Sequence, residues 1–473
     1  MISISALLVL ANFTAIFDTS STSTFGSLVG LTPNVYNPSA VWSCQIVTTD
    51  TKAPVTLSSS SPSSKSFKKI NSSVVEFAWN LTNYPLTVSI HASIQNNNQL
   101  VLVPTFSSNN NQLGLWRWTL HSTGTTNLTA SASNLEMNGF GRVHRPPASF
   151  SGIYPSYTSQ FVALWDDHGG TYTATHDAEA HSKGFGCEVQ PGVTGRTSSC
   201  YVQVTPPNAG LPLSQYTSAF PVVVTTFLGD WFDAAAVYKK WVLHHARWTE
   251  QGPLSSRTDR PMWVDNMTTW INSHWQGNDI FNITGGDPMV VLNRVKAIVH
   301  RFNLKKGELG LHWYEWDTLG YELGSNYSKC ENEITCGFDT HYPEYFPVRV
   351  GFNDTLKILQ ELGVKVAPYV NGRIFDTGTK SWKENNMQGK RASAKFAAPF
   401  LGGDKNLTGY IESYGSKVDF ALMCPNATFW QEEMAKVVGT LAEGYDTDGV
   451  YIDQIAAAAP KPWYVLAFFD WTS

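Results

Sequence analysis

Apolar and polar positions alternate with a period of two through the first half of the chain. Runs such as Leu86-Thr87-Val88-Ser89-Ile90 and Tyr201-Val202-Gln203-Val204 are cut by clusters of Ser, Asn, Gly and Pro. Such runs are half-buried strands joined by turns. Residues 1–226 therefore form a large antiparallel β-sandwich, as one elaborated sandwich or as two domains. The serine-rich stretch Ser58 to Ser66 reads as an exposed loop. Met1 to Phe17 is mostly apolar but lacks a basic start, so a first pair of strands is favoured over a signal peptide.

The pattern changes at Gly229-Asp230-Trp231. Asp230 can cap a helix whose apolar positions Ala234, Val237, Tyr238 and Trp241 recur every three to four residues. Residues 227–260 thus supply a connecting helix and linker, and from 261 to 460 strands alternate with helices. Expected strands are Pro261 to Val264, Gly310 to Trp316, Val364 to Asn371, and Asp448 to Ile455. Expected helices start at Asp287-Pro288, run from Asp354 to a stop at Gly363, and run from Ala427 to Leu441. Alternation at this spacing means βαβ units and a parallel sheet, here the first half of a (β/α)8 barrel. No Gly-x-Gly-x-x-Gly follows any strand, which argues against a dinucleotide-binding sheet. Residues 461–473 form an aromatic tail unlike a further strand-helix unit.

The last expected strand, Asp448-Gly449-Val450-Tyr451-Ile452-Asp453-Gln454-Ile455, ends on a carboxylate. Period two places Tyr451 and Asp453 on one face and Val450 and Ile452 on the other. Barrel enzymes keep catalytic groups at such strand ends.

Composition narrows the function. Charged residues make up 15% and aromatics 13%, with 17 Trp and a formal net charge of −5. A charge-poor, aromatic-rich chain without a basic run is a poor nucleic-acid binder and suits stacking on sugar faces. No apolar run reaches the ~20 residues of a membrane span, and oligomeric state is open. Asn-x-Ser/Thr sequons recur from Asn12 through Asn80, Asn266 and Asn353 to Asn426. Their spread points to a secreted protein or one of the secretory-pathway lumen. Cys187 with Cys200, and Cys330 with Cys336, close short loops and are candidate disulfides. No Cys-x-x-Cys or His-Glu-x-x-His is present, so neither a metal site nor a cofactor is expected.

Several stretches resemble one enzyme group: Ala235-Ala236-Val237-Tyr238-Lys239-Lys240-Trp241, His341-Tyr342-Pro343-Glu344-Tyr345-Phe346-Pro347, Met423-Cys424-Pro425 with Phe429-Trp430-Gln431, and the Asp448 to Gln454 strand. Together they resemble sandwich-plus-barrel glycoside hydrolases of the α-galactosidase-like and endo-α-N-acetylgalactosaminidase-like kinds. The chain is most similar to a glycosidase-like family known only as domain of unknown function 6259. The resemblance implies a galactose-mutarotase-like supersandwich, then an incomplete TIM barrel truncated after its fourth strand. It also implies hydrolysis of O-glycosidic bonds with Asp453 as nucleophile.

A retaining glycosidase needs a second carboxylate ~5–5.5 Å from the first. Glu315 and Asp317, at the end of the second barrel strand, are the nearest offers, although hydrogen bonding to sugar hydroxyls or to neighbouring strand ends suits them better. His312, Tyr314 and Trp316 share a strand face, with Trp316 as a stacking ring. Asn371 and Arg373 follow the third strand as candidate hydroxyl or charge binders, and Tyr451 joins this substrate-binding set. Trp313 and Tyr369 read as packing residues. Hydrolysis by a retaining mechanism, non-catalytic carbohydrate binding, and an inactive fragment are the three functional readings.

Overall fold

The computed structural model describes residues 4–10, 13–21, 23–31, 34–37, 39–48, 54–95, 98–192, 195–207, 209–273, 286–317, 341–384, 411–413, 418–425 and 427–455. They fall into two compact units, the described residues up to Gly252 and those from Pro253 onward.

The first unit is antiparallel throughout. A ten-stranded and a seven-stranded sheet face one core, and a four-stranded sheet built from the first 35 residues adds to it. Alternation does the work: along Val74–Leu81, the residues Val75, Phe77, Trp79 and Leu81 are buried, and along Trp42–Thr48 so are Trp42, Cys44 and Ile46. The two sets meet where the Trp42 and Trp79 rings pack edge-on at 5.8 Å. The apolar N-terminal run forms strands Ile4–Leu10 and Phe13–Asp18, paired antiparallel, with Phe17 5.1 Å from Phe77.

The serine-rich stretch departs from the expected loop. Its second half is the strand Ser63–Lys69, paired with Val74–Leu81, and Ser59 is buried with its hydroxyl accepting the Val41 N–H at 2.9 Å. Ladder hydrogen bonds to an apolar partner strand outweigh the run's weak intrinsic preference. Cys187 and Cys200 lie opposite each other on adjacent strands and form a disulfide.

Helix α1 (Trp231–His245) starts at a capping box, with Asp230 accepting from Phe232 N–H and Asp233 accepting from Asp230 N–H. Its buried face, Ala234, Tyr238 and Trp241, packs on Phe161 and Tyr172 of the first unit.

The second unit contains four parallel strands: β1 (Thr269–Ser273), β2 (Leu309–Trp313), β3 (Lys365–Asn371) and, last in sequence, β7 (Tyr451–Asp453). They lie side by side in the order β1-β2-β3-β7. Helices α2 (Pro288–Phe302) and α3 (Phe352–Glu361) separate the first three strands in sequence. Asp287 caps α2 ahead of Pro288, and Gly363, with φ of 83°, follows the end of α3. Val291, Val295, Phe352 and Leu356 share a core with Leu309, Leu311 and Trp313 of β2.

The expected first strand at Pro261 to Val264 is instead part of a 3₁₀ turn, Met262–Asn266, and β1 starts later. Proline lacks a ladder donor, and the buried pair Ile271 and Ser273 marks the true strand. The last strand is also shorter than the Asp448 to Ile455 run. Asp448 acts before it, accepting from Val366 N–H at 3.1 Å and pairing with Lys365 at 2.7 Å.

Between β3 and β7 the chain adds a three-stranded antiparallel sheet not foreseen from the pattern: β4 (Ile374–Asp376), β5 (Ile411–Ser413) and β6 (Asp419–Leu422), with β6 central. Helix α4 (Lys380–Glu384) follows β4, and α5 (Thr428–Gly439) precedes β7.

Candidate active site

Parallel register brings the ends of β3 and β7 level, with Tyr369 opposite Tyr451 and Asn371 opposite Asp453. Asp453 is half-buried, and its Oδ2 accepts from the Tyr369 hydroxyl at 3.0 Å. The chain turns at once after it: Gln454 adopts φ of 59°, and the Asp453 carbonyl accepts from Gly372 N–H at 2.9 Å. A non-glycine residue in the left-handed region beside a catalytic candidate fits the clustering of backbone strain at functional sites.

An aromatic group lies beside the carboxylate on the same sheet face. The His312 ring is 3.8 Å from that of Tyr451 and 4.4 Å from that of Tyr314, which stacks on Tyr369 at 4.4 Å. Burial pushes the His312 imidazole down to about 4, so it is neutral at pH 7. Its Nε2 has no hydrogen-bond partner among the described residues. Tyr451 keeps 43% of its surface exposed, and burial followed by the nearby Asp453 charge raises its phenol.

Other expected site residues are placed differently. Trp316 is 1% exposed: its Nε1 donates to the Tyr369 carbonyl at 2.8 Å and its ring stacks on Tyr345 at 5.6 Å. Trp316 packs inside the protein, whereas the Tyr451 ring is exposed. Asn371 is fully buried with both amide ends bonded inside the protein. Arg373 grips Glu412 with two bonds of 2.7 and 2.8 Å and reaches Gln454 Oε1 at 3.4 Å, so its charge is answered from within.

Asp317 is buried and bridges Val348. Glu315 has φ of 51°, and its Oε2 accepts from Gly286 N–H at 3.2 Å. Burial raises the Glu315 carboxyl, against lowering by that bond and by Arg349.

The loop after β2 contributes packing. His341, Tyr342 and Tyr345 are buried, the Tyr345 hydroxyl accepting from Asn371 N–H at 2.6 Å. Cys330 and Cys336 lie outside the described residues. Glu412, Gln454 and the Tyr369 hydroxyl were missed from sequence. Only Tyr369 carried a signal, since it shares strand parity with Asn371. Among the described residues no three His, Cys, Asp or Glu side chains are grouped as metal ligands, and no helix is long and apolar enough to cross a membrane.

This geometry is a carboxylate at the end of a parallel strand beside an exposed aromatic ring. The profile of a domain of unknown function (DUF6259) matches residues 216–328 and 332–466, which include every element of the site. The chain belongs to the DUF6259 family. A candidate glycoside hydrolase of Monosiga brevicollis is 37% identical over 347 residues, 71% of this chain and 27% of that protein. Another, from Bacteroides thetaiotaomicron, is 29% identical over 315 residues, 66% of this chain and 40% of its own length. This DUF6259 chain thus spans well under half of either relative.

Among solved structures, the α-N-acetylgalactosaminidase NagBb of Bifidobacterium bifidum in complex with GalNAc aligns with a TM-score of 0.66 at 11% identity, covering 95% of this chain and 69% of that one. The galactosidase domain of the α-galactosidase-sucrose kinase AgaSK aligns at 0.51 with 10% identity, covering 94% and 64%. At such identities the likeness is one of fold, that of glycosidases with sandwich and barrel domains.

Proposed function

We propose that this chain carries the nucleophile side of a retaining glycoside hydrolase, with the four parallel strands as the first half of a (β/α)8 barrel. Asp453 attacks the anomeric carbon of an O-glycoside, and Tyr451 offers its exposed ring to the sugar. The observation that carries this reading is the Asp453 carboxylate, held by one phenol at the C-terminal end of a parallel strand beside that ring. Galactose- and N-acetylgalactosamine-type α-glycosides are the first substrates to test, from the names of the structural neighbours.

The acid/base partner is not Glu412. Both of its carboxylate oxygens are committed to the Arg373 guanidinium, which leaves neither facing a leaving group. Glu315 has the raised carboxyl an acid needs, but its Oε2 is committed to a backbone N–H. With no second available carboxylate identified among the described residues, carbohydrate binding without turnover is the second reading. The exposed Tyr451 ring serves it equally well.

Secretion with N-glycosylation fits the surface, since Asn71, Asn80, Asn127, Asn266 and Asn353 are all exposed sequon residues. Dinitrophenyl α-galactoside and α-N-acetylgalactosaminide, whose leaving groups need no acid, test the catalytic reading. Asp453→Gly should lose turnover and regain it with azide, giving a glycosyl azide of inverted configuration. Turnover that survives the substitution without azide rules out Asp453 as nucleophile. Glycan binding by a chain that never cleaves these substrates favours the second reading.

A further inference from the structure

Two residues of β3 hold the Asp453 carboxylate in a defined way. Asn371 Oδ1 accepts from the backbone N–H groups of Arg373 at 3.0 Å and Ile374 at 3.2 Å. Those two donors fix which end of the amide is oxygen, so the Nδ2 end faces Tyr369. Nδ2 donates to the Tyr369 hydroxyl oxygen at 3.1 Å. A phenol has one proton, and with Asn371 donating into it that proton goes to Asp453 Oδ2 at 3.0 Å. The Tyr369 ring is 4% exposed and stacked on Tyr314 at 4.4 Å, so the hydroxyl has little freedom to turn elsewhere. Among the described residues no donor reaches Asp453 Oδ1.

We infer that Asn371 and Tyr369 form a positioning relay that ties down Oδ2 and leaves Oδ1 as the attacking oxygen. The inference rests on Asp453 being the nucleophile. In the first step the C1–Oδ1 bond forms as the bond from C1 to the leaving group breaks, and the leaving group departs with the electron pair. Oδ2 becomes the carbonyl oxygen of the glycosyl ester and keeps its hydrogen bond from Tyr369. In the second step water attacks C1, its proton passes to a base, and C1–Oδ1 breaks. Negative charge then returns to the carboxylate, and the Tyr369 bond to Oδ2 strengthens. The relay therefore acts on both steps, through Asp453, without touching the sugar.

Trapping with 5-fluoro-α-galactosyl fluoride or its N-acetylgalactosamine counterpart tests this, because fluoride leaves without acid help. Intact-mass spectrometry follows formation and decay of the adduct on the full chain. Tyr369→Phe removes the donor. Asn371→Asp keeps the shape and the two backbone bonds, but its new oxygen competes with Asp453 for the phenol proton. Each should slow trapping about ten- to a hundredfold and lengthen adduct lifetime, at an unchanged half-saturating concentration. The double variant should be no slower than the slower single one, because both break the same link.

If Tyr369→Phe does not fold, Asn371→Asp carries the test alone. Unchanged trapping in these variants, with labelling lost in Asp453→Asn, overturns the relay and leaves the nucleophile standing. Labelling that persists in Asp453→Asn, or a wild-type chain that is never labelled, overturns both.

Discussion

His312 shows how burial sets chemistry at a single residue. Its folded pKa of about 4 lies below the ordinary 6.5, so between those values the unfolded chain binds a proton that the folded chain does not. The stability this group contributes is complete above about pH 6.5 and is lost as pH falls toward 4. Burial pushes His341 down to about 4 in the same way. Glu315 and Asp376, raised mainly by burial, work in the opposite sense as pH falls through their folded values and offset part of the loss. His312→Phe should therefore flatten the decline of Tm between pH 6.5 and 4. Identical slopes in the variant and the parent would contradict a buried neutral imidazole. At this scale Asp453 and Tyr451 were legible because strand parity alone puts them on one face. The Tyr369 hydroxyl was not, because a strand tyrosine reads as core, and its 4% exposure agrees while its oxygen does something else. Arg373 misled for a similar reason: the partner that neutralises it, Glu412, is 39 residues away in sequence.

Among elements, caps and glycines spoke most clearly and short strands least. Asp230, Asp287 and Gly363 marked helix ends that the structure keeps. The expected strand Pro261 to Val264 and the expected loop Ser58 to Ser66 failed in opposite directions, because pairing partners decide strands more than local preference does. The sheet of β4, β5 and β6 interrupts the strand-helix rhythm, and no periodicity announces β5, whose Glu412 anchors Arg373.

Glycine substitutions separate two effects at this scale. A Cβ at Gly363 would sit 2.6 Å from Lys306 Cβ in a left-handed backbone, so Gly363→Ala should cost about 1–3 kcal/mol. Gly439 ends α5 in helical geometry with open space around its Cβ, so Gly439→Ala should stabilise by about 0.4–1 kcal/mol. Denaturant midpoints would show shifts of opposite sign, and shifts of the same sign would contradict this reading of the two sites. Replacing Cys187 and Cys200 together by Ala should cost about 2–4 kcal/mol by the same measurement, and a neutral result would mean the bridge adds nothing to the sheet pairing already there.

For the whole molecule, the order of a sandwich followed by parallel strands was legible from one change of hydrophobic period near Gly229. The acid/base carboxylate was not, and the described residues do not supply a clear one. Expression through a eukaryotic secretory pathway should yield a chain whose mass falls on N-glycosidase treatment, with glycans on exposed asparagines such as Asn80 and Asn353. An unchanged mass would contradict a secreted glycoprotein. The decisive question remains whether Asp453 forms a bond to sugar. Peptide mapping of the chain after treatment with a fluorosugar trap answers it directly. A glycosyl adduct on the peptide containing Asp453, absent from Asp453→Asn, is the expected result. An adduct on any other carboxylate would contradict it.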